Sequence, residues 1–359
     1  MLEPLIRSDS SMIDVDDPIL VTGATGFIGT RVVNRLLEHG FRNVRCLARP
    51  ASDLSRLHGV ARRHANEARF TVIHGNLLSP EDCAEAARDV AVVFHLAAAR
   101  NERSFPDAFL NSVVTTRNLL EACRHHAALR RFVNVSSFAV YTNTGNRQRR
   151  LLDESCPIET NSAARGDAYC FAKVKQDELV VDYGRRFEIP YVIVRPGYVY
   201  GPGNAGIPGR VGLGTFGIFL HLGGPNTIPL TYVENCVDAI LLAGLKNGVD
   251  GEVFNVVDDD LISSRLFLTL YKRYVRRFSS IYVPHVISYV LCFAWEKYST
   301  WSEGQLPPAF NRRMWHAYWK KTNYTNRKLK TRLGWAQTWS TREALSRSFE
   351  AARMDRHLA

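Results

Sequence analysis

Short apolar runs of strand type alternate with helical periodicity over the first part of the chain. The runs lie at 19–21, 44–48, 70–73, 90–94 and 132–135. Between several of them, apolar residues recur every three or four positions, in the stretches at 28–37, 81–88 and 107–126. Strands buried on both faces read as continuous apolar runs, so this alternation is typical of a parallel sheet with helices on both sides. The pattern predicts an α/β fold built on a doubly wound parallel sheet.

A glycine-rich turn joins the first predicted strand to the first predicted helix. Its glycines are Gly23, Gly26 and Gly29, spaced as G-x-x-G-x-x-G. Gly23 permits a tight turn, Gly26 lets the backbone approach a pyrophosphate, and Gly29 lets the helix pack close to the strand. The N–H groups at the helix N-terminus then face the phosphates. This predicts a Rossmann-type dinucleotide-binding unit; a glycine turn without a ligand is the alternative, which the later residues disfavour.

The end of the second predicted strand bears on which dinucleotide binds. An acidic residue there would bind the ribose hydroxyls and favour NAD. Ala48 and Arg49 stand there instead. Arg49 can receive a 2′-phosphate, so this position favours NADP over NAD, with an ordinary surface arginine as the alternative.

Residues 136–173 carry the candidate chemistry. Ser136 and Ser137 follow the fifth predicted strand, and Tyr169 and Lys173 open a later helix with the spacing that places them on one face. A lysine ammonium beside a phenol stabilises the phenolate, so the tyrosine can move a proton to or from a substrate oxygen. Ser137 can hydrogen-bond the same oxygen. Each signal is weak alone, but together after this glycine turn they predict hydride transfer between nicotinamide and a secondary alcohol or ketone.

Six stretches carry a family resemblance, and they fall within about residues 18–260. They are Thr22–Gly29, His95–Ala98, Val135–Ser137, Tyr169–Lys173, Arg195–Pro202 and Tyr232–Asn235. Together they resemble the extended short-chain dehydrogenase/reductases. That family holds sugar-nucleotide epimerases and dehydratases, 3β-hydroxysteroid dehydrogenases and dihydroflavonol reductases.

The resemblance implies roles for individual residues. It implies that Ser137, Tyr169 and Lys173 form the catalytic triad, and that Asn111 supports the active-site strands. The implied cofactor-binding residues are Gly23, Thr25, Gly26, Phe27, Ile28 and Gly29 in the glycine turn, Arg49 at the ribose, Asn76 and Leu77 beside the adenine, Ala97 and Ala98 along the cofactor channel, Pro196 and Val199 at the nicotinamide, and Tyr169 and Lys173. Asn76 stands where the family usually has Asp.

Two features give opposite indications of the substrate. Tyr198 stands where sugar-nucleotide enzymes of the family usually have Asn, which favours the 3β-hydroxysteroid dehydrogenase and dihydroflavonol reductase branch. A basic C-terminal part favours a sugar-nucleotide, whose diphosphate needs Arg or Lys. The first reading is a net oxidoreductase, and the alternative is an epimerase or dehydratase that retains NAD. A non-catalytic dinucleotide-binding sensor is a further alternative, which the intact triad disfavours.

Length and composition predict the organisation of the 359 residues. We expect a loose tail at 1–17, an NAD(P)-binding domain at 18–200 and a mostly substrate-binding lobe at 201–359, with some strands returning to the main sheet. Seven cysteines without a C-x-x-C pair, and no apolar leader, predict a cytoplasmic protein without a metal site. A homodimer is a further family expectation.

Charge is unevenly distributed along the chain. The net charge is +11, yet residues 261–359 hold 18 Lys and Arg against 5 Asp and Glu, and the preceding residues are close to neutral. This asymmetry indicates an anionic partner. A phosphorylated substrate, an anionic membrane surface and a merely solvated basic face remain open, whereas nucleic acid is not predicted.

The most apolar stretch of the C-terminal part is Ile281–Trp295. It is too short to span a bilayer. We predict a core or pocket helix with Pro284 near its first turn, and a peripheral membrane role is the alternative.

Overall fold

The computed structural model describes residues 11–64, 69–98, 104–143, 151–215, 217–302, 305 and 310–357. Its strands are β1 (Ile19–Thr22), β2 (Asn43–Ala48), β3 (Arg69–His74), β4 (Val92–His95), β5 (Arg131–Val135), β6 (Leu151–Leu152), β7 (Tyr191–Pro196), β8 (Tyr198–Tyr200), β9 (Gly212–Thr215), β10 (Ile218–His221), β11 (Leu230–Tyr232), β12 (Val253–Val256), β13 (Ser280–Tyr282) and β14 (Asn323–Tyr324). The predicted strands therefore form within about two residues of their expected ends.

Helices follow most of these strands. The α-helices are α1 (Gly29–Glu38), α2 (Ser55–Arg63), α3 (Pro80–Ala87), α4 (Phe105–Ala108), α5 (Thr115–Cys123), α6 (Ala168–Phe187), α7 (Val233–Leu245), α8 (Ser264–Tyr274), α9 (His285–Trp301), α10 (Arg312–Tyr318) and α11 (Thr341–His357). Short π-helical segments lie at Phe109–Val114 and Leu329–Leu333, and a 3₁₀ turn lies at Phe138–Val140.

Seven parallel strands form the central sheet, in the order β12-β7-β5-β4-β1-β2-β3. The order reverses between β1 and β4, because β2 and β3 extend to one side of β1 and the remaining strands to the other. In open α/β sheets, ligands bind at the carboxyl ends of the strands beside such a switch point. The predicted doubly wound Rossmann-type fold is confirmed.

Two apolar clusters cover the two faces of the sheet. On one face, α1 and α7 pack against β1, β2 and β4 through residues such as Val33, Leu36 and Ile240. On the other face, α3, α5 and α6 pack through residues such as Leu119 and Val180. Burial on both faces explains why these strands are continuously apolar.

The predicted helix at 107–126 is interrupted. The chain runs from α4 through the π-helical segment Phe109–Val114 into α5. The Ser112 carbonyl accepts hydrogen bonds from the hydroxyls of Thr115 (2.9 Å) and Thr116 (2.6 Å) and from the Gln176 side-chain amide (3.3 Å). These side-chain donors accompany the local change in helical pitch, which the apolar periodicity does not reveal.

Residues 11–17 differ from the loose tail predicted at 1–17. The Met12 N–H donates to the Leu245 carbonyl at 2.9 Å, and the Met12 carbonyl accepts from Arg130 at 2.7 Å. Ile13 is buried in the main core. One apolar side chain and these backbone bonds therefore anchor the segment, while residues 1–10 lie outside the described residues.

The chain beyond residue 200 contributes to both parts of the molecule. β12 and α7 join the main sheet and its core. A separate sheet has the order β13-β10-β9, and β8 pairs with β11. The helix predicted in Ile281–Trp295 forms as α9, but its assignment to the core is wrong, because one whole face of α9 is exposed. No described helix is both long enough and apolar enough to cross a bilayer.

Candidate active site

The glycine turn follows β1 at the switch point of the sheet. Gly23 has a φ of +68°, which L side chains rarely adopt, and a Cβ there would lie 2.9 Å from the Ala97 nitrogen. A Cβ on Gly29 would lie 2.1 Å from the Gly23 carbonyl oxygen. Gly26 donates its N–H to that same carbonyl at 3.0 Å. The turn is therefore tighter than any side chain at Gly23 or Gly29 allows.

The start of α1 closes this turn. No side chain caps the helix N-terminus, whose preceding residue is Ile28. The Thr30 hydroxyl instead donates to the Ala24 carbonyl at 2.9 Å, which holds the turn against the first helical residues. A helix end without a side-chain cap, beside a turn that holds three glycines, fits the pyrophosphate of a dinucleotide.

Arg31 ties the glycine turn to the C-terminal part of the chain. Its guanidinium donates to the carbonyls of Phe27 and Pro202, both at 2.8 Å, and pairs with Glu234 at 3.1 Å. Neither Arg31 nor Glu234 was predicted as a site residue. Both lie in or beside stretches that carry the family resemblance. Their opposite charges were the sequence feature from which this ion pair could have been predicted.

Ala97 lies beside the glycine turn, and Ala98 follows it in the chain. Their role along a cofactor channel stays a prediction. The Ala97 N–H donates to the Thr22 hydroxyl at 3.4 Å. That hydroxyl is also 2.8 Å from the Nδ1 atom of His95. Burial lowers the pKa of His95 to about 3, so this imidazole stays neutral and serves to join the ends of β1 and β4.

Arg49 and Asn76 lie at the same edge of the sheet as the glycine turn. Arg49 directly follows β2 and is exposed, and the Gly75 N–H donates to the carbonyl of Ala48 at 3.0 Å. Asn76 follows β3, and its side-chain oxygen accepts from the Leu78 N–H at 3.0 Å. The Leu77 carbonyl accepts from Asn118 at 3.0 Å, which fixes the segment that follows β3.

Lys173 reaches the carboxyl end of β5. Its ammonium donates to the Val135 carbonyl at 2.8 Å, and the side chain is buried. Ser137 lies two residues beyond that carbonyl, and its hydroxyl accepts from the Ala139 N–H at 3.2 Å. Tyr169 lies one turn before Lys173 on α6 and packs against the apolar cluster that includes Phe138. Lys173 and Ser137 therefore lie at the end of β5, and Tyr169 packs beside the residues that follow it. Their joint catalytic role stays a prediction.

A buried ion pair lies beneath Lys173. Asp177, one turn further along α6, pairs with Arg195 of β7 at 3.0 Å and accepts from Asn134 of β5 at 3.0 Å. Burial raises the pKa of Asp177, and Arg195 opposes that effect. This pair braces α6 against two strands. It was not predicted, although the four-residue spacing from Lys173 places Asp177 on the same helix face.

Pro196 and Val199 bracket a close approach of two backbone segments. The Gly197 N–H donates to the Val256 carbonyl at 3.0 Å, and a Cβ on Gly197 would lie 2.2 Å from the Pro229 oxygen. Val199 packs in the cluster that also includes Phe27 and Ile28 of the glycine turn. Gly197 therefore lets the chain before β8 pass close to Pro229, which precedes β11.

Three basic side chains of the C-terminal part have polar partners within the chain. Arg312 forms a two-point contact with Glu296 at 2.9 and 3.0 Å, and Arg313 pairs with the buried Glu159 at 2.9 Å. Lys320 donates to the Asn143 carbonyl at 2.9 Å. The charges of Arg312 and Arg313 are therefore balanced within the chain, and the Lys320 ammonium already has a hydrogen-bond acceptor.

Comparisons with known proteins agree with this geometry. The sequence model of the NAD dependent epimerase/dehydratase family matches residues 19–256. An uncharacterized UDP-glucose epimerase of Bacillus subtilis is 30% identical over 66% of this chain and 76% of its own length. A trifunctional UDP-glucose 4,6-dehydratase/UDP-4-keto-6-deoxy-D-glucose 3,5-epimerase/UDP-4-keto-L-rhamnose-reductase of Arabidopsis thaliana is 28% identical over 66% of this chain, which spans only 36% of that relative.

A solved structure is also similar. It is UDP-glucuronic acid 4-epimerase of Bacillus cereus in complex with UDP-glucuronic acid and NAD, with a TM-score of 0.69 and 23% sequence identity. The match covers 94% of this chain and 99% of that one. At this identity, the likeness establishes the fold.

Lys173 makes the stability of the protein depend on pH. Burial lowers the pKa of Lys173 to about 8 from its ordinary value of 10.5. Between these values the unfolded chain binds a proton that the folded chain does not, so this group raises the free energy of unfolding by up to about 1.4 kcal/mol per pH unit. The free energy of unfolding of the wild type minus that of Lys173→Met, measured by urea unfolding, should therefore increase with pH across this window. Lys175→Met, at an exposed lysine of the same helix, is the control, and its difference from the wild type should not change with pH. A difference for Lys173→Met that does not change with pH would contradict the assignment.

Proposed function

Because the chain belongs to the NAD-dependent epimerase/dehydratase family, we propose that it oxidises or reduces a secondary alcohol or ketone with NAD or NADP. The proposal rests on the position of Lys173. Its buried ammonium bonds to the Val135 carbonyl, two residues before Ser137 and one helical turn after Tyr169. This position supports a site in which a cation, a phenol and a hydroxyl act together at the end of one strand.

Each residue of this group has a separate task. Tyr169 gives a proton to the substrate oxygen or takes one from it, and the Lys173 charge favours the phenolate form. Ser137 donates a hydrogen bond to the same oxygen and stabilises its developing charge. The side-chain-free turn at Gly23 and Gly29 would hold the pyrophosphate of the cofactor, which supplies or accepts the hydride when bound.

We propose a hydrophobic hydroxy or keto compound as the substrate, of the kind used by 3β-hydroxysteroid dehydrogenases and dihydroflavonol reductases. Tyr198 supports this class, because it replaces the amide that sugar-nucleotide enzymes usually have. The internal pairing of Arg312, Arg313 and Lys320 supports it too, because these cations already have partners and a diphosphate would have to compete for them. Net oxidoreduction then requires the cofactor to exchange after each turnover.

A nucleotide-sugar is the second candidate substrate. It is favoured by the relatives, which include a UDP-glucose epimerase at 30% identity. An epimerase returns the hydride to its substrate and gains nothing from releasing NAD. The homodimer and the cytoplasmic location stay predictions, and the non-catalytic sensor stays the disfavoured alternative.

For the cofactor, we propose a preference for NADP. Arg49 supports it, because this exposed side chain follows β2 at the edge that also carries the glycine turn. A guanidinium at that point suits a 2′-phosphate and has no partner on the ribose of NAD.

Tyr169→Phe tests the catalytic assignment. Loss of the proton-transferring hydroxyl should lower kcat by about 10²–10⁴-fold and leave cofactor affinity unchanged. The assay follows NAD(P)H absorbance over a panel of secondary alcohols and ketones. Tyr274→Phe, at an exposed tyrosine of α8, is the matched control. Wild-type turnover in Tyr169→Phe would remove Tyr169 from the reaction.

Cofactor retention separates the two substrate classes. A net oxidoreductase should lose its nicotinamide cofactor on dialysis, and the absorbance of the purified protein near the nicotinamide band should fall to the baseline. Stoichiometric cofactor that survives dialysis and is released only on denaturation would contradict the hydrophobic-substrate proposal in favour of an epimerase.

Arg49→Ala tests the choice of dinucleotide. The lost charge-assisted contact should raise the Kd for NADP by about 10–100-fold while the Kd for NAD stays the same. Titration by nicotinamide fluorescence measures both constants. Arg62→Ala, at an exposed arginine near the far end of α2, is the control. The same ratio of the Kd for NADP to the Kd for NAD in the wild type, Arg49→Ala and Arg62→Ala would exclude a role for Arg49.

A further inference from the structure

Helix α9 exposes its large apolar residues and buries small ones. Its outward side carries Val286, Ile287, Val290, Leu291 and Trp301, which are 51–76% exposed. Its inward side instead carries the small residues Ser288, Cys292 and Ser299, all buried. A helix at a protein surface normally places its large apolar residues on the core. The large apolar residues of α9 are therefore available to something outside the described chain.

Specific polar contacts fix this orientation. The Trp315 ring N–H donates to the Ser288 hydroxyl at 2.9 Å, and Glu296 receives the two-point contact of Arg312. Cys292 packs with Trp319 in the cluster between α9 and α10. Rotating α9 to bury Leu291 would break all of these contacts. The apolar side is thus held outward by the fold.

The exposed apolar residues continue from α9 into the edge strand β13. Ile281 is 54% exposed and Tyr282 is 42% exposed, and Pro284 then leads directly into the helix. We name the α9 surface from these residues, which are Ile281, Tyr282, Val286, Ile287, Val290, Leu291, Tyr298 and Trp301. A concentration of exposed apolar residues of this kind marks an interaction site rather than ordinary surface.

The charges near the α9 surface are mostly positive. Residues 261–295 contain five Arg and Lys and no Asp or Glu. Arg265 lies over the Tyr282 ring at 5.5 Å, and Arg276 lies over the Phe278 ring at 5.7 Å, so cations flank the aromatic residues just before α9. Within α9, the carboxylate of Glu296 is already paired with Arg312.

We propose that the α9 surface docks the protein on an anionic lipid bilayer, with α9 lying along the interface. Apolar residues on one side of a helix beside a cluster of cations are the features that interfacial helices use. Tyr298 and Trp301, whose rings stack at 5.7 Å, are the residue types that favour the boundary between headgroups and acyl chains. Electrostatic attraction draws the basic residues to the headgroups, and apolar burial then holds Val290 and Leu291 in the interface. The docking is independent of the proposed reaction.

Vesicle flotation with the full chain tests this docking. The probes are vesicles of phosphatidylcholine alone and of phosphatidylcholine mixed with phosphatidylglycerol. The protein should float with the mixed vesicles at low salt, and its partitioning should fall by about tenfold or more near 1 M salt, where the screening length is about 3 Å. Its tryptophan emission should shift to shorter wavelength on binding, because Trp301 leaves water.

Two variants separate the apolar and the charged contributions. Val290→Glu with Leu291→Glu should reduce partitioning into the mixed vesicles by about tenfold or more at every salt concentration, because carboxylates oppose both burial and anionic lipid. Arg276→Gln with Arg277→Gln should reduce mainly the salt-sensitive part. Val15→Glu, at an apolar residue that is 39% exposed outside the α9 surface, is the control and should bind as wild type does. Cofactor titration of every variant verifies that it is folded.

Three results would overturn the proposal. The first is a wild-type protein that floats with neither type of vesicle. The second is concentration-dependent self-association that Val290→Glu with Leu291→Glu abolishes, without any vesicle binding, which would assign the α9 surface to a second copy of the chain. Equal binding by the wild type and that double variant would exclude α9 as the contact.

Discussion

The candidate site depends on the hydrogen bond between the Lys173 ammonium and the Val135 carbonyl. This bond joins α6 to the end of β5, so it sets the position of Tyr169 on the helix relative to Ser137 after the strand. A buried ammonium is costly to desolvate, and here burial lowers its pKa without removing its charge near neutral pH. The Asp177 carboxylate opposes this effect of burial on the pKa of Lys173, and its contacts with Arg195 and Asn134 brace α6 against β7 and β5. The arrangement of the candidate site therefore depends on a buried polar network.

Close contacts between backbone segments shape the other part of the candidate site, at the glycine turn and before β8. At Gly29 the helix backbone meets the Gly23 carbonyl, and at Gly197 the segment before β8 meets the Pro229 carbonyl. Both contacts leave no room for a Cβ, so glycine at these points is a packing requirement. Arg31 then joins the turn to the Pro202 carbonyl and to Glu234 at the start of α7. The dinucleotide-binding unit and the C-terminal part are thus connected directly at the cofactor site.

In the C-terminal part, several charged residues are paired within the protein, whereas several apolar residues are exposed. Cations that composition alone makes available to a ligand, such as Arg312 and Arg313, are paired with Glu296 and Glu159. Apolar residues that periodicity assigns to a core, such as Leu291, are exposed instead. Both outcomes arise because α9 and α10 pack through Ser288, Trp315 and Glu296, which turns the apolar side of α9 away from the protein. The binding properties of this part follow from that packing.

The sequence by itself determined the α/β class, the order of the first strands and helices, and the residues that carry the candidate chemistry. These features depend on local signals: continuous apolar runs, glycines at fixed spacing, and a Tyr and Lys one turn apart. Tertiary structure alone decided the docking of residues 11–17, the π-helical segment before α5, the Asp177–Arg195 pair and the direction of the α9 surface. Each of these depends on a contact between groups far apart in the chain, such as Met12 with Leu245 or Trp315 with Ser288. Periodicity identifies which face of a helix is apolar, but only the polar partners on the other face decide whether that apolar face is buried.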